Sequence, residues 1–298
     1  MLEYIGWAQM EEDIKSFLNY LATNKRYSLN TLAAYRNDLN QMCAYLSAEG
    51  SKRGIAIQEI KLDASLLSGY MRSLRERKYT ASTVARKVAA AKSFIQFMVD
   101  KGKLRSDLVP ILASPQVSKP APKHLSVSEV RLLLAETAKF ATPEAKRDRA
   151  MLELLYATGL RASELMTLNI KDVDLRSGRV RCFARNSKSR FIPIDHHVTQ
   201  LLKDYVSSAR PNLLTNESEI ALFTNRRGER LTRQGFWQIV QGYADKVGIG
   251  AKATPRSLRH SFAVHKLKSG ADLHSVQELL GHAHISTTRV YKQAELRT

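Results

Sequence analysis

Residues 279–291 of this 298-residue chain have the sequence LLGHAHISTTRVY, which places His282 nine residues before Tyr291. Gly281 is expected to end the helix before it, because glycine readily takes the left-handed conformation found at helix C-termini. His282 then lies in the break, and Ser286 or Thr287 of the Ser-Thr-Thr run at 286–288 is expected to cap a short helix that carries Tyr291. The stretch predicts two helices separated by a break, with an imidazole close to a phenol.

A first candidate anion ligand, Arg161, lies further back in the sequence. It follows Gly159, which should close one helix, and Glu164 stands one turn into the next helix. A guanidinium at such a helix start can present its planar fork to a phosphate, with the carboxylate orienting it. By themselves, Arg161 and Glu164 would fit an ordinary ion pair between residues i and i+3 equally well.

A second candidate anion site precedes the stretch with the histidine and the tyrosine. Thr254 is a favourable N-cap and Pro255 suits the first helical position. Arg256 and Arg259 are therefore expected within the first turn of one helix and on the same face. A helix N-terminus that bears two guanidiniums is a strong anion site. The same two arginines at a helix start would also be sufficient for a site that binds phosphate without any reaction.

Together, Tyr291, His282 and the arginines are groups suited to attack on a phosphodiester. An unperturbed tyrosine has a pKa of ~10, so it needs positive charge nearby and a proton acceptor before it can act as a nucleophile. The sequence contains no Walker loop and no carboxylate cluster suited to two magnesium ions. We therefore expect a reaction that uses a tyrosine nucleophile and arginines and requires no metal and no cofactor.

The composition is strongly basic. Lys and Arg number 47 against 28 Asp and Glu, which gives a formal net charge of +19, and both residues 1–117 and the remainder carry an excess of basic residues. Such a chain attracts polyanions, and this distribution suits a clamp around double-stranded DNA. The two cysteines, Cys43 and Cys182, suggest neither a disulfide framework nor a zinc site. With no signal peptide and no run of ~20 apolar residues, we expect a cytoplasmic protein without a membrane partner.

The length of the chain suggests two domains. Residues 1–113 contain four apolar stripes with helical spacing, which predict a four-helix DNA-binding bundle. Prolines in residues 114–124 predict an extended linker. Residues 125–298 combine helices with two β runs, 180–183 and 191–194, around a basic turn, which predicts a mixed α+β catalytic domain. The fold class is therefore expected to be mainly α with a small β-sheet.

The polar faces of the four N-terminal helices carry basic side chains that are candidates for DNA contact: Arg36, Arg86, Lys87 and Lys92. A charged helix face is more commonly just solvated. Contact with DNA is favoured here because the net charge and the anion sites of the second domain point to the same partner.

Four segments follow one another in a characteristic order: ATGLRASEL at 157–165, LRH at 258–260, LLGH at 279–282, and STT at 286–288 followed by Tyr291. In this order they resemble the signature segments of the tyrosine recombinases, most closely the Xer group. The resemblance extends over nearly the whole chain and includes LTRQGFW at 231–237, which is similar to a DNA-contacting helix start in that group. It implies that Arg233 and Gln234 contact DNA.

The resemblance also implies a reaction. Tyr291 would attack a scissile phosphate and form a 3′-phosphotyrosyl bond and a free 5′-hydroxyl. Arg161 and Arg259 would hold the non-bridging oxygens, His282 would donate a hydrogen bond to the phosphate, and Glu164 would support the arginine site. A 5′-hydroxyl from another duplex could reverse the step without ATP. Two such rounds on four strands would exchange DNA through a Holliday junction, at a recombination site held by a homo-tetramer or by a hetero-tetramer of paired recombinases.

Two positions depart from the pattern of that family. Its members carry a lysine in the β-hairpin that protonates the leaving 5′-oxygen, and the corresponding position here is Arg185, eight residues before Pro193. Arginine hardly releases a proton at neutral pH, so Lys188 is the preferred general acid, with Arg185 as the alternative. The histidine or lysine expected three residues before the second arginine is Arg256. That side chain can clamp phosphate but is a poor acid or base.

Two other functions fit parts of the sequence. A type IB topoisomerase would use the same tyrosine chemistry to relax supercoils, but the two-domain layout and the Xer-like segments favour a recombinase. A catalytically degenerate relative would bind DNA without cleaving it, in keeping with the altered lysine and histidine positions. Strand-exchanged product from two marked sites distinguishes a recombinase from the first alternative, and a covalent adduct distinguishes it from the second.

Replacing Lys188 by alanine is expected to slow cleavage by on the order of 10²-fold or more, because the leaving 5′-oxygen loses its proton donor. A 5′-bridging phosphorothioate should restore the rate, since a sulfur leaving group needs no proton. The measurement is the rate of adduct formation on nicked suicide substrates with oxygen or sulfur at the bridging position. Arg185→Ala is the matched variant, and rescue by sulfur in that variant alone would assign the acid to position 185.

Overall fold

The structure is a computed structural model that describes residues 7–54, 62–116, 122–183 and 189–295. It divides into two compact units, Met1–Lys119 and Pro120–Thr298, called the N-terminal unit and the C-terminal unit below. Helices make up most of the described residues, together with one three-stranded antiparallel sheet. The predicted fold class, mainly α with a small β-sheet, is confirmed.

Within the described residues, the N-terminal unit contains four α-helices, α1 (Trp7–Thr23), α2 (Leu29–Lys52), α3 (Ala64–Glu76) and α4 (Ala81–Asp100). Helices α2, α3 and α4 begin at capping side chains, Ser28, Asp63 and Thr80, each of which accepts a hydrogen bond from the backbone N–H three residues on. The apolar stripes of the four helices form one buried cluster, in which the rings of Phe17 and Phe94 lie 5.5 Å apart. Mutual burial of these stripes stabilises helices that would be marginal alone.

One of the four basic residues predicted for the polar faces lies in the interior, so that placement was wrong. Lys87 is 3% exposed, and its Nζ donates hydrogen bonds to Asp38 Oδ1 at 3.0 Å and to Gln41 Oε1 at 2.6 Å. Buried charges persist where they are paired, and Asp38 on α2 supplies the partner for this position of α4. The neighbouring Arg86 also donates to Asp38 and is half-exposed, whereas Arg36 and Lys92 are exposed as expected.

The C-terminal unit contains eight α-helices within the described residues: α5 (Val127–Thr137), α6 (Pro143–Thr158), α7 (Ala162–Thr167), α8 (His196–Asp204), α9 (Arg233–Lys246), α10 (Pro255–Lys268), α11 (Leu273–Leu280) and α12 (Ile285–Glu295). Helix α6 is central, because it packs against α5, α8 and α10. The side chains of Leu152, Leu154 and Leu155 are fully buried there. This helix therefore supplies a rigid base for the residues that follow its C-terminus.

The sheet has the order β1 (Val173–Asp174), β2 (Arg179–Phe183) and β3 (Ser189–Pro193), and all its pairs are antiparallel. Strands β2 and β3 match the two β runs expected from the sequence. Strand β1 was not predicted, because two residues are too few to show an alternating pattern. The hairpin tip that carries Arg185 and Lys188 lies outside the described residues.

The helix ends around the predicted anion sites follow the sequence closely. Helix α6 ends at Gly159 with φ +60°, α11 ends at Gly281 with φ +63°, and α10 begins after Thr254 with Pro255 in its first turn. Helix α12 begins at Ile285, so the residues of the Ser-Thr-Thr run lie inside its first turn and are not its caps, contrary to expectation.

Cys43 and Cys182 are both buried and unpaired, one in each unit. Among the residues described, no group of three or more His, Cys, Asp and Glu side chains is placed to hold a metal ion. Over the same residues, none of the helices combines the length and the apolar character needed to cross a lipid bilayer.

Replacing Asp38 by alanine is expected to lower the free energy of unfolding by about 3–5 kcal/mol, because the Lys87 ammonium stays buried without its carboxylate. Urea denaturation at neutral pH measures the change. Glu12→Ala is the matched control, since Glu12 pairs with Lys15 on the surface of α1 at 3.4 Å and such pairs contribute less than about 1 kcal/mol. Equal unfolding midpoints for the two variants would contradict the structural role of Asp38.

Candidate active site

Three chain segments of the C-terminal unit meet at Arg259. Its Nη1 donates to the carbonyl oxygen of Gly159 at the end of α6, and its Nη2 donates to the carbonyl oxygen of Leu280 at 2.8 Å. Both carbonyls are at helix C-termini, where the last carbonyls lack intrahelical partners and the helix dipole favours a cation. Arg259 is 7% exposed. Its guanidinium thus joins the start of α10 to the ends of α6 and α11.

Arg161 is held at the start of α7. Its backbone N–H donates to Glu164 Oε2 at 2.8 Å, its Nη1 donates to Glu164 Oε1 at 2.9 Å, and its Nη2 donates to the carbonyl oxygen of Gly281 at 3.2 Å. The side chain is 41% exposed. Unlike Arg259, it therefore keeps part of its guanidinium open to solvent or to a ligand.

A third arginine, Arg190 on β3, completes the group and was not predicted. Its Nη1 and Nη2 each donate to one oxygen of Glu164 at 3.0 Å, and its Nε donates to the carbonyl oxygen of Leu279 at 3.0 Å. In the sheet it stands opposite Cys182, which is buried. Successive side chains of a strand point to opposite faces, so Arg190 shares a face with Ile192, two residues on. This spacing is the signal in the sequence that could have indicated an inward-facing arginine.

Glu164 is the carboxylate at the centre of these three guanidiniums, which are called the arginine cluster below: Arg161, Arg190 and Arg259. Arg259 Nη1 lies 3.9 Å from Glu164 Oε2. Burial by itself would raise the pKa of Glu164, but hydrogen bonds from Arg190 and from the Arg161 backbone outweigh it, and the pKa is lowered. One carboxylate therefore stays ionised among three cations, and the cluster retains an excess of positive charge.

Burial, and after it the charge of Arg161, lowers the pKa of Arg259 to about 10. Arg259 remains protonated at neutral pH, but there is electrostatic repulsion between its guanidinium and that of Arg161. An anion bound beside them would relieve it. The arrangement is therefore suited to hold a phosphate.

His282 lies in the break between α11 and α12 and contacts the cluster. Arg259 Nη2 lies 3.1 Å from His282 Nε2, and His282 Nδ1 lies 2.9 Å from Thr288 Oγ1. Because arginine only donates, Nε2 must accept, which places the ring proton on Nδ1. Burial and the charges of Arg259, Arg161 and Arg190 lower the pKa of His282 to about 4, so the ring is neutral at physiological pH.

Tyr291 on α12 packs between two imidazole rings and is 5% exposed. The centroid of its ring lies 5.4 Å from that of His260 and 6.2 Å from that of His282. Burial raises the pKa of the phenol, and the charges of Arg259, Arg256 and Arg161 act in the opposite direction. The phenol is therefore close to the same cations that would hold an anion.

Arg256 and His260 lie one turn apart on α10, beside Tyr291. Arg256 is exposed, and its Nε lies 3.5 Å from His260 Nε2. His260 Nδ1 lies 3.2 Å from the carbonyl oxygen of Lys123. Arg256 therefore lies near the other predicted site residues. It is at the exposed rim of the site, whereas Arg259 is buried. His260 was not predicted, although LRH at 258–260 contained it.

The predicted hairpin residues Arg185 and Lys188 lie outside the described residues. Arg233 and Gln234 are exposed in the first turn of α9. Arg36, Arg86 and Lys92 belong to the N-terminal unit.

Comparison with known proteins shows the family of this chain. The model of the phage integrase family matches residues 123–297, and that of its N-terminal SAM-like domain matches residues 14–102. The chain belongs to the phage integrase family. Curated relatives include the tyrosine recombinase XerC of Roseiflexus castenholzii, 46% identical over 95% of this chain and 88% of that protein. The tyrosine recombinase XerD of Oceanobacillus iheyensis is 40% identical over 95% of this chain and 93% of that protein.

The architecture is also similar to that of a solved structure. The XerH site-specific recombinase in a post-cleavage complex with its palindromic difH substrate superposes with a TM-score of 0.74, at 22% identity over 97% of this chain and 93% of that chain. At this identity the likeness concerns the fold. The identity to the XerC and XerD proteins gives the class of enzyme: this phage integrase family member is a tyrosine recombinase.

Replacing Glu164 by glutamine in this tyrosine recombinase is expected to lower the free energy of unfolding by about 1–3 kcal/mol at pH 7, because charge-assisted hydrogen bonds to Arg161 and Arg190 are lost. A lowered carboxyl pKa stabilises the folded state above the unfolded pKa of about 4.3, and this contribution disappears as pH falls through the folded pKa. The difference from wild type should therefore shrink below about pH 4.3.

Urea denaturation at pH 7 and at stepwise lower pH measures this difference. Glu278→Gln on α11 is the matched control, because Glu278 is exposed and should show little effect at any pH. A Glu164→Gln difference that stays constant as the pH falls would contradict an ionised Glu164 in the folded protein.

Proposed function

We propose that this enzyme cleaves and rejoins double-stranded DNA at a specific site, through a covalent 3′-phosphotyrosyl intermediate at Tyr291 and without metal or ATP. The observation that carries the proposal is the position of the phenol beside Arg259, Arg256 and Arg161, whose charges oppose the rise that burial causes in its pKa. A phosphodiester held by the cluster brings its phosphorus within reach of that oxygen. The same chain then supplies both the nucleophile and the cations.

Arg161 and Arg259 are the proposed ligands of the two non-bridging phosphate oxygens. Arg161 keeps an exposed part, and Arg259 is fixed by the carbonyls of Gly159 and Leu280, so neither guanidinium has to reorganise much. Negative charge on those oxygens grows as Tyr291 attacks. Fixed donors aimed at such charge are typically worth about 3–4 kcal/mol each. Arg256 adds positive charge from the rim of the site.

His282 is the proposed further donor to the phosphate. Without an anion its Nε2 accepts from Arg259, and its Nδ1 proton is directed to Thr288. A phosphate beside the ring draws the Arg259 donor to itself and raises the proton affinity of Nε2. Once Nε2 has taken up a proton from solvent, His282 donates a hydrogen bond to a phosphate oxygen. Glu164 acts through the arginines as a positioning residue, since it contacts them and not the phosphate.

Departure of the 5′-oxygen requires a proton. Lys188 is the proposed source, and Arg185 is the alternative at the position where the family pattern has lysine. A lysine ammonium can release its proton when desolvated, whereas a guanidinium keeps it. The phosphotyrosyl bond conserves the energy of the broken ester, so a 5′-hydroxyl from a second duplex can attack it and join the strands without ATP.

Strand exchange needs four such active sites around two duplexes. We propose that two rounds of cleavage and joining pass through a Holliday junction on a tetramer, formed by this chain alone or with a paired recombinase. The description of the related XerH as bound to a palindromic difH substrate supports this assembly on a recombination site. The strongly basic composition is in keeping with a duplex partner and with action on DNA in the cytoplasm.

Two surfaces are proposed to contact that duplex outside the scissile phosphate. The N-terminal unit, proposed as the DNA-binding domain, presents Arg36, Arg86 and Lys92 from α2 and α4. The C-terminal unit presents Arg233 and Gln234 at the start of α9, where backbone N–H groups of the first turn also suit a phosphate. Lys87 is omitted, because its ammonium is buried against Asp38.

Tyr291→Phe is expected to bind DNA as wild type does and to form no covalent adduct, because the ring packing is kept and the nucleophilic oxygen is removed. Adduct formation on a nicked suicide substrate, resolved by denaturing electrophoresis, measures the effect. Tyr243→Phe is the matched control, since its hydroxyl lies 3.2 Å from Asp148 on α6, among residues without a proposed role. An adduct with Tyr291→Phe would place the nucleophile elsewhere.

The same assay with two marked sites tests strand exchange itself. Recombinant product is expected from the wild-type enzyme and absent from Tyr291→Phe. Relaxation of supercoiled DNA without recombinant product would indicate a topoisomerase instead, and binding without any adduct would indicate a degenerate DNA-binding relative.

A further inference from the structure

We propose that His260 is a further catalytic residue, whose Nε2 accepts the proton that the Tyr291 hydroxyl loses as its oxygen attacks the scissile phosphate. This inference rests on the proposed role of Tyr291 as nucleophile. Attack by Tyr291 requires a proton acceptor, because a neutral phenol must release its proton to some group.

The groups around the phenol restrict the choice. Arg161, Arg256 and Arg259 are the charges that act on Tyr291, and a guanidinium has no lone pair with which to accept a proton. Among the described residues, the two imidazoles packed against the tyrosine ring, His260 and His282, are nearby groups that can accept one.

The hydrogen bonds of the two imidazoles differ. Both nitrogens of His282 are engaged at normal distances, Nε2 by Arg259 and Nδ1 by Thr288. His260 donates from Nδ1 to the carbonyl oxygen of Lys123, which can only accept, so the lone pair lies on Nε2. The partner of that lone pair is Arg256 Nε, at 3.5 Å. His260 Nε2 is therefore the less committed acceptor beside the phenol.

The charges around His260 keep this lone pair free at neutral pH. Arg256 and Arg259 face it from α10, His124 from the segment before α5, and Tyr291 from α12. Burial, then the charges of Arg256, Arg259 and His124, lower the pKa of His260 to about 4, and the Lys123 carbonyl opposes this only in part. The ring is thus a free base, and a bound phosphate would offset the arginine charges and increase its proton affinity during attack.

Loss of the proton from Tyr291 accompanies its attack on phosphorus. The O–H bond of Tyr291 breaks, and the proton passes to His260 Nε2. The phenolic oxygen forms a bond to phosphorus, the bond from phosphorus to the 5′-oxygen breaks, and that oxygen takes a proton from the hairpin acid at position 188 or 185. On rejoining, the 5′-hydroxyl attacks the phosphotyrosine, and His260 returns its proton to the departing Tyr291 oxygen.

The test measures single-turnover adduct formation on the nicked suicide substrate, at protein concentrations that saturate the DNA, for full-length wild type, His260→Ala and His260→Gln. Both variants are expected to be slower by about 10²-fold, the usual contribution of a general base. Free imidazole should accelerate His260→Ala in proportion to its unprotonated fraction. The wild-type rate should also fall at acidic pH as His260 becomes protonated, and the glutamine variant should lack this fall.

Glutamine separates catalysis from structure, because its amide N–H can still donate to the Lys123 carbonyl but its oxygen takes up no proton at neutral pH. A wild-type rate in His260→Gln would overturn the proposal, as would a failure of imidazole to accelerate a folded His260→Ala. If the alanine variant does not fold, the rate and pH profile of the glutamine variant decide. His274→Ala is the control, since His274 is exposed on α11 and should react at the wild-type rate with no effect of imidazole.

Tyr291→Phe, assayed alongside, distinguishes the two proposals. No adduct with Tyr291→Phe and normal rates with both His260 variants would remove His260 from the mechanism and leave the proposed function intact. An adduct with Tyr291→Phe would overturn the proposed function itself.

Discussion

The sharing of one buried carboxylate between guanidiniums from separate parts of the chain is the interaction on which the site depends. Glu164 on α7 accepts from Arg161 beside it and from Arg190 on β3, and it lies within 4 Å of Arg259 on α10. Three cations this close repel one another, and the carboxylate reduces that repulsion without cancelling it. The folded protein therefore holds a preformed excess of positive charge, directed to where a phosphate would bind.

Charge balance also accounts for the state of the histidines. Burial and the positive charges of nearby arginines both oppose protonation of His260 and His282, so both rings are neutral at physiological pH. A neutral imidazole can accept a proton or a hydrogen bond, which an imidazolium cannot. The same positive field that would attract DNA therefore keeps two proton acceptors beside Tyr291.

Helix ends bring these groups together. Arg259 is anchored by carbonyls at the ends of α6 and α11, and Arg161 by its own helix start and by the Gly281 carbonyl. Gly281 has a φ of +63°, which favours glycine, and a Cβ there would also lie 2.6 Å from Arg190 Nη1. Backbone carbonyls thus position the guanidiniums more rigidly than flexible side chains would.

Several features could be predicted from the sequence because they depend on a few neighbouring residues. The glycine ends of α6 and α11 and the start of α10 at Thr254 follow from local capping chemistry, and the four N-terminal helices follow from apolar spacing. The family followed from four ordered segments. The start of α12 was placed too late, because in a four-residue break several positions can serve as the cap, and tertiary contacts select among them.

Only the tertiary structure decided which charged groups are buried and which groups they contact. The sequence indicated Lys87 as a surface cation, but Asp38, 49 residues away, draws it inside. Arg190 gave no local signal, since its partner Glu164 is 26 residues distant and on another element. The proton location on His260 likewise depends on the Lys123 carbonyl, 137 residues earlier. Local periodicity and capping act over one or two helical turns, whereas the energy of a buried charge depends on whichever groups the fold places against it.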